Sequence, residues 1–179
     1  MRIGVLLAGL AAAAVLALAA IAFTPLGVPL LQRTFPVGAV EPVDFSSLKL
    51  DNLPARYLVC PGVGTCPELN DRTAIFDVSL ERLRAEFDRI LATETDLELV
   101  LSDDETMQYT FLSRSPFLQI PDLFTVQFMI PPEANENNPR STMILYSRRV
   151  YVSGDFGANS ARVIRFLDQF EAILGIYRR

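Results

Sequence analysis

Four short strand-like runs fill the middle of the chain, and they constrain the fold more than any other feature of the sequence. Two of them, TMQYTFL and LFTVQFMI, alternate apolar and polar residues. Alternation over consecutive short runs joined by turns favours an antiparallel sheet with one covered face. A fifth apolar run, RYLVC (56–60), precedes them and is a candidate first strand. The four later runs are LELVL (97–101), TMQYTFL (106–112), LFTVQFMI (123–130) and STMILYS (141–147).

Two segments repeat apolar residues at helical spacing and predict amphipathic helices. The first begins at Asp77 or Ser79, and the second follows Gly157. Two helices with apolar stripes can cover one face of a small sheet. The sequence therefore predicts an α+β fold: a two-layer domain with a four- to five-stranded, mainly antiparallel sheet and two helices. The stripes comprise Leu80, Leu83, Phe87, Ile90 and Leu91 in the first helix, and Val163, Phe166, Leu167, Phe170, Ile173 and Leu174 in the second.

The amino-terminal segment is apolar from Ile3 to Phe23 and carries no charge between Arg2 and Arg33. That length suits a hydrocarbon core of about 30 Å, so this stretch is predicted to form one transmembrane helix, and residues 1–31 are assigned as the anchor. A cleaved signal segment, ending near the small residues Ala17 to Ala19, is the alternative. Residues 32–54 then form a linker and residues 55–179 a single domain. Both alternatives export that domain.

Cys60 and Cys66 flank a loop rich in Gly and Pro. In an oxidising compartment such a pair can close a small disulfide ring, whereas two free, half-buried thiols are the alternative. No second cysteine pair and no histidine complete a four-ligand metal site, so neither a metal nor any other cofactor is expected.

The composition excludes several functional classes. The net charge of −5 argues against nucleic acid as a partner, because a nucleic-acid binder presents a basic face. The chain has no histidine, which removes Ser-His and Cys-His nucleophile pairs. The acidic turn at Asp103, Asp104 and Glu105 offers paired carboxylates, but a turn of this kind faces solvent and lacks the burial that acid–base catalysis needs. No catalytic residue is assigned.

A series of short motifs recurs in order along the carboxy-terminal half: Ser113, Arg114, Phe117 and Asp122 upstream, then Ser147-Arg148, Val150-Tyr151, Asp155-Phe156-Gly157, Asn159 and Arg162-Val163. By these motifs the chain resembles, across Tyr57 to Leu174, the domain of unknown function 1499 family of bacteria. Members often carry one amino-terminal membrane segment, so the resemblance implies a bacterial inner-membrane location with the domain facing the periplasm, but it implies no reaction.

The segment SGDFGANSARVIRFL (153–167) raises the question of whether its helix start binds an anion. Asn159 or Ser160 could cap that helix without any ligand, and Gly157 could supply a positive φ. Asp155 would repel a phosphate there unless Arg148 or Arg149 neutralised it. A structural turn is therefore the favoured interpretation.

Four charged residues form the second candidate site: Arg114, Asp122, Arg148 and Asp155. If the strands pair in order, they approach one another at one end of the sheet. They then form either a network of ion pairs that fixes the loops or the polar mouth of a pocket. Together with Asn159 they are the predicted binding residues.

These features favour a membrane-anchored, non-enzymatic module of the cell envelope that binds a ligand or a partner. The expected partners are the lipid bilayer, through the amino-terminal segment, and a small hydrophobic or anionic ligand or an envelope protein. The alternatives are an enzyme that uses Asp and Arg residues without histidine, and a structural subunit of an envelope complex.

Overall fold

The computed structural model describes residues 2–22, 24, 27–50, 55–62, 64–151 and 154–175. Within these ranges the chain forms four helices and six strands. The helices are α1 (Arg2–Ala22), α2 (Gly27–Thr34), α3 (Leu80–Leu91) and α4 (Ala158–Leu174). The strands are β1 (Arg56–Cys60), β2 (Asp71–Arg72), β3 (Glu98–Asp103), β4 (Gln108–Arg114), β5 (Pro121–Met129) and β6 (Thr142–Arg149).

The six strands form one mixed sheet in the order β2-β1-β6-β5-β4-β3. Strands β3 to β6 form an antiparallel meander, β1 pairs antiparallel with β6, and β2 pairs parallel with β1. The prediction of a four- to five-stranded, mainly antiparallel sheet with two helices is therefore wrong in its number of strands and helices. The missed strand, β2, consists of two exposed charged residues, so it has no apolar alternation that could reveal it. The missed helix α2 contains Pro29 in its first turn, where proline is tolerated.

The predicted amino-terminal transmembrane helix is also corrected. Among the residues that the structure describes, no helix combines the length and the apolar character needed to cross a membrane.

Helices α3 and α4 cover one face of the sheet, which we call the helix face. Ser79 caps α3 as predicted, since its Oγ accepts a hydrogen bond from the Arg82 N–H at 3.3 Å. The aromatic ring of Phe87 packs against Phe166 and Phe170 of α4 and against Phe128 of the sheet. Because each strand alternates, Tyr109, Phe111, Phe124, Val126, Phe128, Met143 and Leu145 all point into this core.

The second face of the sheet is covered by residues 39–50, which we call the covering segment. Phe45 is buried against Tyr146, with Leu58, Ile144 and the Cys60–Cys66 disulfide beside them. The backbone of Val43 exchanges two hydrogen bonds with the Gln108 side chain, at 2.6 and 3.0 Å. This part of the predicted linker 32–54 thus packs on the sheet, while residues 51–54 lie outside the described ranges.

Candidate functional site

A row of polar side chains crosses the helix face at the end of the sheet where β6 leads into α4. Ser113, Asp122 and Arg149 are direct partners across β4, β5 and β6, so their side chains share that face. The Arg149 guanidinium binds the Asp122 carboxylate through two nitrogens, with Nε–Oδ1 at 2.9 Å and Nη2–Oδ2 at 3.4 Å. Both side chains are at least nine-tenths buried, and the hydrogen bond from Arg149 to Asp122 raises the pKa of Arg149.

The start of α4 is closed by the carboxylate of Asp155. Oδ1 accepts from the Gly157 N–H at 3.0 Å, and Oδ2 accepts from the Asn159 N–H at 2.9 Å. Burial raises the pKa of Asp155, but the hydrogen bonds from Asn159 and Gly157 outweigh it, and the pKa lies below its ordinary value. Asp155 therefore occupies the N–H groups that an anion would need, which supports the structural interpretation of this turn.

The predicted cap at Asn159 is wrong. The N-cap position of α4 is Gly157, which has no side chain that could cap the helix. Its φ of 81° is positive, as predicted. Asn159 lies inside the first turn and is buried. Its Nδ2 donates to Ala55 O at 3.2 Å and to Asp155 Oδ2 at 2.8 Å, while its Oδ1 accepts from Ser147 Oγ at 2.5 Å. Asn159 thus ties the start of α4 to β6 and to the residue before β1.

Arg162 completes this group, which we call the buried polar cluster. Its guanidinium donates to Ser147 Oγ at 3.2 Å, to Asn159 Oδ1 at 3.4 Å and to Ser113 Oγ at 2.5 Å. Burial lowers the pKa of Arg162, and the charge of Asp122 partly offsets that effect. The members of the cluster are Ser113, Asp122, Ser147, Arg149, Asp155, Asn159 and Arg162.

The buried polar cluster joins α4 to three strands and leaves little capacity for a ligand. Each charged member is held by protein groups, and the two serine hydroxyls contact Arg162 and Asn159 rather than a carboxylate that could act as a base. Among the described residues, Thr73 Oγ1 is the one buried side-chain polar atom without a hydrogen-bond partner. The arrangement is that of a satisfied structural network.

A different polar site lies on the second face. Arg56 and Arg148 are direct partners across β1 and β6, so two positive charges stand side by side on one face. They line a cavity of about 340 Å³ together with Tyr146 of β6 and with Glu41 and Leu48 of the covering segment. We call this cavity the arginine cleft; its remaining lining residues are Ala39, Pro42 and Val43.

The side chain of Arg148 lines the arginine cleft. Within the described ranges its guanidinium makes no hydrogen bond and no ion pair, although it is half-buried. Burial lowers the pKa of Arg148, Tyr146 partly offsets this, and the charge of Arg56 lowers the pKa further. Since an arginine stays protonated at neutral pH, Arg148 brings to the cleft a positive charge that no described carboxylate pairs with.

Two other cavities offer less. A cavity of about 380 Å³ beneath the covering segment is lined mainly by apolar groups, and its one carboxylate, Asp44, is occupied by Ser46 and Ser47. Another of about 380 Å³ lies beside β3, where Asp96 and Glu98 share the lining with Arg114. Neither concentrates charge of one sign.

The predicted binding residues divide between the two faces. Asp122, Asp155 and Asn159 belong to the buried polar cluster, whereas Arg148 lines the arginine cleft. Arg114 does not approach Asp122; it donates to Phe35 O at 3.1 Å and to Gln119 O at 2.8 Å.

Sequence reasoning missed the roles of Arg149, Arg162 and Arg56. The alternation of β6 could have identified Arg149, because Leu145 and Ser147 point to the helix face and residue 149 follows with the same parity. The spacing of Arg162 from Asn159 also places both on one side of α4. For Arg56 no signal exists before the pairing of β1 with β6 is known.

The disulfide prediction is confirmed, with Cys60 and Cys66 bonded and both fully buried. The acidic turn faces solvent at Asp104 and Glu105, and Asp104 accepts a hydrogen bond from the Tyr109 hydroxyl at 2.8 Å.

Comparison with known proteins identifies neither a family model nor a curated protein that matches this chain.

Proposed function

We propose that this chain is a non-enzymatic binding module that works in the bacterial periplasm and holds a small anion in the arginine cleft. The anion carries carboxylate or phosphate oxygens, because these match the donors of a guanidinium in pairs. The observation that carries the proposal is the Arg148 guanidinium, which is half-buried beside Arg56 and has no counter-ion among the described residues.

The repulsion between Arg56 and Arg148 supports the proposal that an anion binds beside them. Like charges directly opposite one another on a sheet destabilise it, and burial makes the repulsion stronger. Arg56 and Arg148 are such a pair. An anion bound to Arg148 would offset this repulsion, so binding would stabilise the fold. A volume of about 340 Å³ falls at the small end of the range for ligand cavities, which favours a small molecule.

The disulfide supports the proposed compartment. Disulfides form and persist in oxidising spaces such as the periplasm and are rare in a reducing cytosol. Cys60 and Cys66 are buried beneath the covering segment, which also forms one wall of the arginine cleft. The proposed site and the oxidised pair therefore belong to the same part of the fold.

Thermal unfolding in inorganic phosphate tests the proposal. The wild type is compared in phosphate and in chloride at equal ionic strength, together with Arg148→Gln. A ligand that binds only the folded state adds stability in proportion to the logarithm of its concentration above Kd, about 2.7 kcal/mol at a hundredfold excess. We expect phosphate to raise the Tm of the wild type and to leave Arg148→Gln unchanged.

Two further variants separate the cleft from the overall charge. Arg82→Gln removes the same charge from the exposed surface of α3 and is expected to keep the phosphate effect. Glu41→Gln removes a carboxylate that lines the cleft and would repel phosphate. This variant is expected to show a larger rise of Tm in phosphate than the wild type. If phosphate raises the Tm of Arg148→Gln as much as that of the wild type, the proposed site is wrong.

A further inference from the structure

Several large apolar side chains are exposed at one end of the domain, which we call the turn end. It comprises the turn from β4 to β5, the segment between β6 and α4, and α2. Phe117 and Leu118 lie in the first turn, Phe156 lies in the second segment and Leu30 lies in α2. All four side chains are more than half exposed, and Phe156 is fully exposed. Exposed single apolar residues are ordinary, but four large ones at one end of a small domain indicate a contact surface.

Hydrogen bonds join the three parts of the turn end. Arg114 donates to Phe35 O just after α2 and to Gln119 O in the turn from β4 to β5. The Gln32 side chain of α2 donates to Gln119 Oε1 at 3.3 Å. The Tyr151 hydroxyl donates to Pro36 O at 2.5 Å, and the Tyr151 ring packs edge-on against Phe35. The apolar side chains are therefore presented together from a connected frame.

Phe156 is presented from a constrained backbone. Its φ is 53°, in the left-handed region that non-glycine residues seldom adopt. The flanking backbone is fixed by Asp155, which accepts from the N–H groups of Gly157, Ala158 and Asn159. Nothing packs around the ring, so the strain is not explained by the core. Strain that packing does not explain is typical of residues held ready for a partner.

The charges are distributed unequally between the two ends. Arg33, Arg56 and Arg148 lie toward the turn end, with Asp96 and Glu98 at its outer edge beside β3. The loops at the opposite end, between β3 and β4 and between β5 and β6, carry acidic residues and one arginine, Arg140, whose charge is paired with Asp77. A chain of net charge −5 would orient its turn end toward a negatively charged surface. The acidic residues of the opposite end are Asp103, Asp104, Glu105, Glu133 and Glu136.

From these observations we infer that the turn end rests on the surface of an anionic lipid bilayer, with Phe117, Leu118 and Phe156 inserted among the headgroups. A bilayer accepts separate insertions from several turns, whereas a protein partner requires one continuous complementary patch. Aromatic side chains are also favoured at the membrane–water interface. The three inserted side chains lie outside the arginine cleft, whose Arg56 and Arg148 contribute positive charge to the same end.

Tryptophan fluorescence can test the orientation, because the chain has no tryptophan of its own. Three single variants of the full chain are prepared: Phe117→Trp, Phe156→Trp and, as a control, Ile130→Trp. Ile130 is 62% exposed, close to the 60% of Phe117, but it lies at the opposite end. Each variant is mixed with vesicles of phosphatidylglycerol and brominated phosphatidylcholine, whose bromine quenches a nearby indole.

We expect the brominated lipid to quench tryptophan at positions 117 and 156 several-fold more strongly than at position 130. The difference should shrink in vesicles of brominated phosphatidylcholine without phosphatidylglycerol, which carry no net charge. Equal quenching at the three positions would overturn the inference, and equal quenching in both kinds of vesicle would overturn the role of lipid charge. If the indole at position 156 is already shielded from acrylamide without vesicles, a second copy of the chain covers this end and the lipid contact is wrong.

Discussion

Arg148 and Arg149 are neighbours in β6, and their guanidinium groups serve opposite faces of the sheet. Arg149 binds Asp122 on the helix face, while Arg148 lines the arginine cleft with Arg56. One guanidinium is neutralised by a buried carboxylate, and the other has no counter-ion in the described part of the chain. The same residue type therefore stabilises the fold at one position and is available to a ligand at the next.

Removal of Arg149 should unfold the protein much more readily than removal of Arg148. Arg149→Met leaves the buried Asp122 carboxylate without its partner, and breaking a buried pair costs about 3–5 kcal/mol. Arg148→Met removes a repelled charge and should change the free energy of unfolding by less than about 0.5 kcal/mol. Urea unfolding of both variants in chloride measures the difference. Equal losses would contradict the assignment of the two side chains to opposite faces.

Asn159→Ala should be strongly destabilising, although Asn159 is not the cap of α4. The change removes the partners of Ser147, Ala55 and Asp155 at once. Each unsatisfied buried group costs about 1–3 kcal/mol, so the loss should exceed that of one hydrogen bond. Ser160→Ala is the matched control, because Ser160 is its chain neighbour and makes one exposed bond to Gly157 O. A loss of similar size in both variants would show that the buried contacts of Asn159 are unimportant.

Gly157→Ala tests the backbone of the turn. Its φ of 81° is unfavourable for any residue with a Cβ, and that strain costs about 1–2 kcal/mol. The added Cβ would meet Ser160 Oγ at 3.6 Å, an ordinary contact, so the loss comes from the backbone alone. Gly154→Ala, in the same turn with open space around it, should be neutral within about 0.5 kcal/mol. Thermal unfolding of the two variants distinguishes these outcomes.

The carboxylate of Asp155 should make the fold sensitive to acid. Its pKa is lowered from the ordinary value of 3.8, so the folded state binds this proton less readily than the unfolded chain does. The resulting stability is fully present above the unfolded pKa and is lost as the pH falls through the lower, folded pKa. Asp155→Asn should therefore be less stable than the wild type at neutral pH.

The difference between wild type and Asp155→Asn should narrow as the pH falls below about 4, because the wild-type carboxyl is then protonated as well. Urea unfolding at a series of pH values measures it. A difference that stays constant down to the lowest pH would show that the ionised carboxylate contributes nothing special to the turn.

The disulfide should be closed and inaccessible in protein purified without reductant. Thiol-reactive reagents should modify neither Cys60 nor Cys66 until the protein is reduced and unfolded, since both are fully buried. Replacing both by serine should cost about 2–2.5 kcal/mol, the chain-entropy value for so short a loop. Rapid labelling of the folded, unreduced protein would contradict the bond.

The meander was predictable because its strands carry their pattern in local sequence. In β4 and β5 apolar residues alternate, and the structure buries Tyr109, Phe111, Phe124 and Val126 on the helix face as that pattern requires. The stripes of α3 and α4 were predicted for the same reason. The edge strand β2 was not predictable, because its two residues bind β1 through backbone groups alone.

The burial of the second face has one signal in the sequence of β6. Its residues Met143, Ile144, Leu145 and Tyr146 are consecutive and all apolar. A strand with no alternation is buried on both faces, so this run could have corrected the prediction of a sheet with one covered face. The part of the chain that covers this face is the covering segment. It was not predictable, because its polar and proline-containing sequence is typical of a linker. For the candidate site, the residue types were predicted but the assignment to faces was not, since a shift by one residue exchanges Arg148 with Arg149.

The covering segment also has a consequence for the order of events during synthesis. It contacts Ile144 and Tyr146 of β6, and β1 pairs with β6, although both leave the ribosome long before that strand. Strands β3 to β6 can assemble through successive hairpins between chain neighbours, which is kinetically favourable. Closure of the second face needs partners that are far apart in the sequence, and it has to wait for the later one. The covering segment and β1 therefore spend most of translation without a docking surface, and the arginine cleft cannot form before β6 has left the ribosome.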